Sequence, residues 1–344
     1  MTPGSGGAAP WEPTGVAGYG GVRALVLEGG GFIGGHVARQ LQEAGAELFY
    51  TVRRGAAGDL DLRGTCLPLD LSDAGAVARI VSELEPDVVF NLAGYGVDPR
   101  ERDPQAAAAL NAELPRHLAL ACAGLSPSPW PGLRLVHVGS ALEYGTAGGS
   151  LSEDTPPRPT TLYGRTKCEG TRRLGELARE RGLAAVTARL FTVYGPGEPP
   201  GRLLPSLQGA ACGGAPLRLT EGRQKRDFTY VEEVAEGLLR LAVARVRPGE
   251  VVNLATGTLI PVRHFVRCAA ELLGIASGRL DFGALPTRPE EMHHDPVAID
   301  RLRQRTGWVP RCGIRQGIAR TLALCAAGAP PRPGAGRAAE EAGT

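Results

Sequence analysis

The chain lacks an excess of charge of either sign: 38 Lys+Arg stand against 36 Asp+Glu, a formal net charge of +2 over 344 residues. It has no basic run either, so neither nucleic acid nor a membrane surface is expected as a partner. No stretch of about 18 apolar residues occurs, which leaves no transmembrane helix to expect. The N-terminus has no basic patch followed by an apolar core, so no secretory signal is expected. Seven cysteines (66, 122, 168, 212, 268, 312 and 325) stand far apart, odd in number and without a CxxC. Disulfide frameworks and zinc sites want clustered, paired spacing, so no metal is expected and a reducing cytoplasm is the expected location. His293 and His294 adjoin without a further ligand set nearby and are read as part of a solvated loop. Aromatic residues make up only 5%.

Glycine and proline are abundant instead, at 49 and 28 residues, about twice ordinary usage. Much of that excess sits at the ends. Residues 1–20 and about 328–344 therefore read as flexible tails. The chain between them is long enough for one large core, or one core with a smaller lobe.

From Val22 to about Leu190, apolar runs alternate with helix-period segments. Strand-like runs are Ala24–Leu27, Leu48–Val52, Asp87–Leu92, Leu133–Val138 and Ala184–Leu190, with helical patterns near 33–44, 73–84, 104–124 and 160–182. Strict alternation predicts an α/β fold, a Rossmann-type doubly wound parallel sheet with helices on both faces. Near-continuous apolar strands suit burial on both sides. After Gly195-Pro196-Gly197 the rhythm breaks, leaving one clear helix at 231–246 and a further strand at Val251–Leu254. The division expected is a dinucleotide-binding part, 21–195 plus about 246–257. A smaller C-terminal substrate-binding lobe comes from 196–245 and 258–327.

The segment from Ala24 to Gly34 reads as strand, glycine turn, helix start, and Gly29, Gly31 and Gly34 satisfy GxGxxG around Phe32 and Ile33. Glycine permits the tight turn, the approach of a pyrophosphate to the backbone and close packing of helix on strand. The helix N-terminus then offers N–H groups and partial positive charge to phosphates. The second strand ends Tyr50-Thr51-Val52-Arg53-Arg54. An NAD site usually has an acid there to accept from the ribose 2′-OH, whereas two guanidiniums suit a 2′-phosphate. NADP is thus the cofactor favoured, with NAD as the alternative. Asp70 after the next strand, with Leu71 beside it, is placed to meet the adenine amino group.

Tyr163-Gly164-Arg165-Thr166-Lys167 is YxxxK in a predicted helix, and i, i+4 spacing puts both side chains on one face. A phenol near pKa 10 is a poor base at neutral pH, and a nearby ammonium lowers it. Tyr163 can then exchange a proton with a hydroxyl while hydride moves to or from a nicotinamide. Ser140 follows the strand Leu133–Val138 at the carboxyl edge of the sheet, where its hydroxyl can hold the substrate oxygen in line.

With these features the chain, from about Val22 to Leu324, resembles an extended short-chain dehydrogenase/reductase of the nucleotide-sugar epimerase/dehydratase/reductase group. The segments that carry the resemblance are GGGFIGGH at 29–36, NLAG at 91–94, VGSALEYG at 138–145, YGRTK at 163–167, RLFTVYGPG at 189–197, RDFTYVEEV at 226–234, NLATG at 253–257 and GWVP at 307–310. The resemblance implies that Ser140, Tyr163 and Lys167 are the catalytic trio, with Lys167 also bonding the nicotinamide ribose. It implies that Leu92, Ala93 and Gly94 line the cofactor and that Arg226 and Arg288 grip a nucleotide diphosphate. A homodimer paired through the helices near 104–124 and 160–182 is implied as well.

Three positions depart from that pattern. Glu28 stands where the first glycine of the turn is usual, and a carboxylate aimed at pyrophosphate would repel it, so Glu28 is expected to turn away. Thr192 stands where a substrate-contacting asparagine is common. Ala141 and Leu142 stand where the 4,6-dehydratases carry an acid–base Asp-Glu pair, and neither can move a proton. The function expected is therefore NADPH-dependent reduction of a nucleotide-linked 4-keto-6-deoxyhexose. The alternatives are a nucleotide-sugar epimerase using the same trio and, in another class, a non-catalytic dinucleotide sensor or scaffold.

Overall fold

The computed structural model of the chain describes residues 16–53, 62–97, 100–211, 213–287 and 291–326. Arg54, Arg288, residues 1–15 and the C-terminal tail from 328 lie outside the described residues.

The chain begins in the middle of a sheet. β1 (Arg23–Leu27), α1 (Phe32–Glu43), β2 (Glu47–Val52), β3 (Thr65–Pro68), α2 (Ala74–Leu84) and β4 (Val88–Asn91) alternate, and α3 (Pro104–Ala107) with α4 (Leu114–Ala123) leads to β5 (Leu135–Ser140). Next come α5 (Leu162–Arg181), β6 (Ala185–Leu190), β7 (Thr192–Tyr194), α6 (Leu203–Ala211), β8 (Leu217–Leu219) and β9 (Lys225–Tyr230). The chain continues with α7 (Val231–Ala242), β10 (Glu250–Leu254), β11 (Leu259–Pro261), α8 (Val262–Leu273), β12 (Leu280–Phe282), α9 (Asp300–Thr306) and α10 (Ile314–Ala326).

Seven strands form one sheet in the order β10-β6-β5-β4-β1-β2-β3, and all their pairings are parallel. The order reverses between β1 and β4, where the loops at the strand ends diverge and open a crevice. Alternate residues of each strand serve opposite cores. Val26, Phe90, Val136 and Val186 pack with Val37 and Leu41 of α1 and Leu238 and Leu241 of α7. Leu25, Val89, Leu135 and Ala185 pack with Val77, Leu118 and Leu174 on the other face. A third core, around Tyr194, Phe228, Phe265 and Ile318, holds the three-stranded sheet β11-β9-β7 against α8 and α10.

Several boundaries differ from the sequence expectation. Tyr19, assigned to a tail, is wholly buried, donates its hydroxyl to Leu239 O at 2.7 Å and packs on Trp130 with ring centroids 5.3 Å apart. An aromatic ring with a carbonyl waiting for its hydroxyl does not stay in solvent. β5 runs two residues beyond Val138, because Gly139 and Ser140 pair with Arg189 and Leu190 of β6. The helix expected over 104–124 is interrupted by a π-helical stretch at Ala108–Glu113. Pro115 has no N–H to offer Asn111 O, and that carbonyl instead faces Gly170 of α5, where a Cβ would lie 2.0 Å away.

Candidate active site

The glycine turn forms at the carboxyl end of β1. Glu28 adopts the left-handed conformation with φ 56°, its N–H donates to Thr51 Oγ1 at 3.0 Å, and its carbonyl accepts from Gly31 N at 2.9 Å. Gly34 packs on that carbonyl so closely that a Cβ there would sit 2.0 Å from Glu28 O. Gly31 is the N-cap of α1 and has no side chain to close the helix end, so the first turn at Phe32 and Ile33 faces the crevice uncapped by Gly31. This is the arrangement that a pyrophosphate requires.

Glu28 does not turn away. Its carboxyl accepts from the Gly94 amide, with Arg53, Lys167 and Glu101 near enough to act on it electrostatically. Burial pushes that carboxyl up to about 7, against the pull of Arg53 and Lys167. Its direction follows from the backbone: the Thr51 and Gly31 bonds fix the Cα, and the left-handed φ sends the side chain inward.

The other cofactor candidates take varied positions. Arg53 follows β2 directly and is exposed. Asp70 is exposed and uses Oδ1 to accept from Ser72 N at 2.9 Å and Ser72 Oγ at 2.6 Å, while Leu71 beside it is buried. Leu92, Ala93 and Gly94 leave β4 on the opposite side of the crevice from the glycine turn.

The YxxxK pair lies in the first two turns of α5, whose N-cap Thr161 accepts from Gly164 N at 3.0 Å. Lys167 is buried, and its ammonium donates to Ala93 O at 2.8 Å and Val138 O at 3.1 Å. It therefore ties the ends of β4 and β5 to the helix. The ammonium also sits 6.0 Å from the centroid of the Tyr163 ring. Burial holds Lys167 down to about 8, with Glu28 and Glu143 opposing.

The phenol is not lowered as the sequence suggested. Burial pushes Tyr163 up to about 12, the Ser140 hydrogen bond and the Arg202 charge oppose this, and Glu143 and Glu28 add to it. Two of the lysine's three hydrogens go to carbonyls, and desolvation decides the direction for the phenol. Tyr163 is thus a protonated acid at neutral pH, hydrogen-bonded to Ser140.

Ser140 ends β5 and opens a 3-10 turn over Ala141–Glu143. Its Oγ accepts from Leu142 N at 3.2 Å, and its own N–H donates to Glu143 Oε1 at 2.8 Å. Glu143 Oε1 also accepts from Thr171 Oγ1 of α5 at 3.1 Å, and Oε2 takes Arg189 Nε of β6 at 2.8 Å. Glu143 is wholly buried. Sequence reasoning noted it only within the VGSALEYG segment and gave it no role, and missed Asn111, whose side chain accepts from Tyr95 N at 2.9 Å and donates to Thr166 Oγ1 at 2.9 Å. A lone asparagine in the run Ala-Ala-Ala-Ala-Leu-Asn-Ala was the available signal for the second.

On the other side of the crevice, Thr192 begins β7, paired to Phe228 of β9. Arg226 on β9 already has a partner: Nε and Nη2 both bond the Glu291 carboxylate, at 2.8 and 2.7 Å. Among the described residues, no group of three or more His, Cys, Asp and Glu gathers as a metal site, and no helix is long and apolar enough to cross a membrane.

Comparison with known proteins agrees with this geometry. The family model described as the NAD dependent epimerase/dehydratase family matches residues 24–255. The chain is 30% identical over 306 residues to a dTDP-6-deoxy-L-talose 4-dehydrogenase (NAD(P)(+)) of Kitasatospora kifunensis, covering 86% of this chain and 93% of that one. It is 27% identical over 323 residues to a dTDP-glucose 4,6-dehydratase of Xanthomonas campestris pv. campestris, covering 87% and 91%. Among solved structures, MoeE5 in complex with UDP-glucuronic acid and NAD superposes with TM-score 0.76 at 28% identity, covering 89% of this chain and 99% of that one. A seven-stranded parallel sheet, a glycine turn at its switch point and a Ser-Tyr-Lys trio at its carboxyl edge are thus found in a chain that belongs to the NAD dependent epimerase/dehydratase family, extended short-chain dehydrogenase/reductase enzymes.

Proposed function

We propose that this enzyme reduces the C4 ketone of a nucleotide-linked 4-keto-6-deoxyhexose with NADPH. The observation that carries this reading is the hydrogen bond between Tyr163 of α5 and Ser140, whose own turn offers no carboxyl from Ala141 or Leu142 for eliminating water. A reductase needs a proton donor at this position, and the Tyr163 phenol, hydrogen-bonded to Ser140, can pass its proton to the C4 alkoxide that hydride addition leaves. Ser140 orients the C4 oxygen and Tyr163 delivers the proton. The bound nicotinamide supplies the hydride. Lys167, between the ends of β4 and β5, holds the nicotinamide ribose and keeps positive charge near the phenol. Arg53 and Arg54, at the end of β2 where no acid stands, hold the 2′-phosphate of NADP, while Asp70 and Leu71 line the adenine.

The sheet half, 21–195 with about 246–257, carries the cofactor, and the lobe from 196–245 and 258–327 carries the sugar nucleotide. In that lobe Arg226 and Arg288 grip the diphosphate and Thr192 meets the sugar. The dTDP-sugar dehydrogenase named above supports the substrate class. A homodimer through α4 and α5 goes with this reading, and Leu120 of α4, 38% exposed, is an apolar side chain it would cover. A monomer in gel filtration at micromolar concentration contradicts it.

The test is an assay of the purified protein against a panel of nucleotide sugars with NADPH and with NADH. Net NADPH oxidation with a 4-keto-6-deoxy sugar nucleotide supports reduction. Interconversion of sugars without net oxidation means epimerisation, and cofactor binding without any turnover means a sensor or scaffold.

A further inference from the structure

We propose, on the reading that the crevice between β1 and β4 holds NAD(P), that Glu28 makes cofactor binding proton-coupled: the dinucleotide enters with Glu28 carrying a proton. The carboxyl already occupies the mouth of the crevice as an internal anion. It accepts from the Gly94 amide on the β4 side, while its own backbone forms the glycine turn on the β1 side. An incoming pyrophosphate must come within a few ångströms of it, because the same turn supplies the phosphate-facing backbone.

The backbone of Glu28 is not free to move. Its N–H is bonded to Thr51 Oγ1 at 3.0 Å and its carbonyl to Gly31 N at 2.9 Å. The closeness of Gly34 to that carbonyl leaves the backbone no room to rotate. The residue is held in a left-handed conformation that a side chain rarely adopts, which fixes the Cα–Cβ direction into the crevice. What can change without breaking the bond to the Gly94 amide is its charge.

The groups that face it come from three elements besides its own, and Tyr163 on α5, whose phenol Glu28 helps to push up, is one of them. Arg53 at the end of β2 and Lys167 on α5 are cations, and Glu101 in the loop before α3 is an anion. Glu101 is itself engaged, accepting from Gly96 N at 2.7 Å. Lys167 has two of its hydrogens on Ala93 O and Val138 O. Burial already lifts Glu28 to about 7, so a second anion arriving beside it raises it further and draws in a proton at neutral pH. Below pH 7 the carboxyl is neutral and accepts the cofactor without charge repulsion. Above pH 7 it must be protonated first, so affinity falls with rising pH.

The experiment compares dissociation constants for NADH, which has no 2′-phosphate to titrate, and for NADPH, in wild type and the isosteric Glu28→Gln protein, at pH 6 to 9. Wild type and variant are expected to agree within about twofold at pH 6. By pH 8.5 wild type is expected to bind roughly tenfold more weakly than Glu28→Gln, the fall of one tenfold step per pH unit above 7 being limited by the shift. Lys167 titrates in the same range, so the pair is repeated on a Lys167→Met background, where the divergence is expected to persist but to begin at higher pH, because the Lys167 charge holds Glu28 down. A ratio of the two constants that stays level from pH 6 to 9 overturns the proposal while leaving the cofactor reading intact. Failure of both proteins to bind either nucleotide overturns the cofactor reading and the proposal with it. Should Glu28→Gln fail to fold, Glu28→Gly restores an unstrained left-handed residue and takes its place in the comparison.

Discussion

Glu143 and Arg189 form an ion pair at 2.8 Å with both side chains almost completely shut off from water, directly beneath the backbone of Ser140. The pair joins the end of β5 to β6, and Thr171 joins it to α5. The backbone of Ser140 is therefore held by a carboxylate that is itself wholly buried. Removing one partner leaves a buried charge alone, so Glu143→Ala is expected to cost about 3–5 kcal/mol in urea unfolding. Replacing both, as Glu143→Leu with Arg189→Met, should recover most of that stability while kcat stays low, because Ser140 loses its anchor. Full activity in the double variant would show that the pair has no part in placing Ser140.

Two other buried carboxyls set a pH dependence of stability. Glu198 and Glu233 each have an Oε2 with no hydrogen-bond partner, and burial pushes both up to about 7. In the unfolded chain they titrate in the ordinary range near 4.5. Between those values the native protein holds more protons than the unfolded one, so these groups stabilise it fully at low pH and lose that contribution as pH rises through 7. Glu198→Gln and Glu233→Gln should each gain on wild type by at least about 1 kcal/mol between pH 5 and pH 8. Denaturant unfolding of each variant at both pH values decides it, and a difference that does not change with pH contradicts it.

Most of the architecture was legible from alternation alone, because parallel strands covered on both faces read as near-continuous apolar runs, such as Ala24–Leu27 and Ala184–Leu190, the latter interrupted only by Thr187 and Arg189. The trio was legible too, since YxxxK is a local spacing and Ser140 sits at a strand end. What escaped was long-range. The carbonyls that hold Lys167 lie 74 and 29 residues before it, and Glu143 gains its meaning from Arg189, 46 residues on. Gly139 and Ser140 have no strand propensity of their own and join β5 only through pairing with β6. The lobe strands β7, β8, β11 and β12 have three residues each, too few to show a period. Glu28 was recognised as a departure, but its inward direction depends on a backbone conformation that composition does not reveal.

Arg226 carries its own internal competitor. Glu291 occupies Nε and Nη2 of the guanidinium that is proposed to hold the diphosphate, and so competes with substrate for it. Arg226→Ala should raise KM for the sugar nucleotide by roughly tenfold to 150-fold, the worth of a charge-assisted bond at about 1.5–3 kcal/mol, with kcat little changed. Glu291→Gln should lower KM by weakening the competitor. Steady-state kinetics on both variants tests the pair, and an unchanged KM in Arg226→Ala would place the diphosphate elsewhere.

Everything in the chemistry depends on the phenol of Tyr163 delivering a proton as hydride reaches the sugar. The sharpest measurement is single-turnover oxidation of bound NADPH by a nucleotide-linked 4-keto-6-deoxyhexose, followed in wild type and in Tyr163→Phe. The expected result is a fall in the hydride-transfer rate of about 10²–10⁴-fold with the dissociation constant for NADPH unchanged. A Tyr163→Phe rate within threefold of wild type would contradict it.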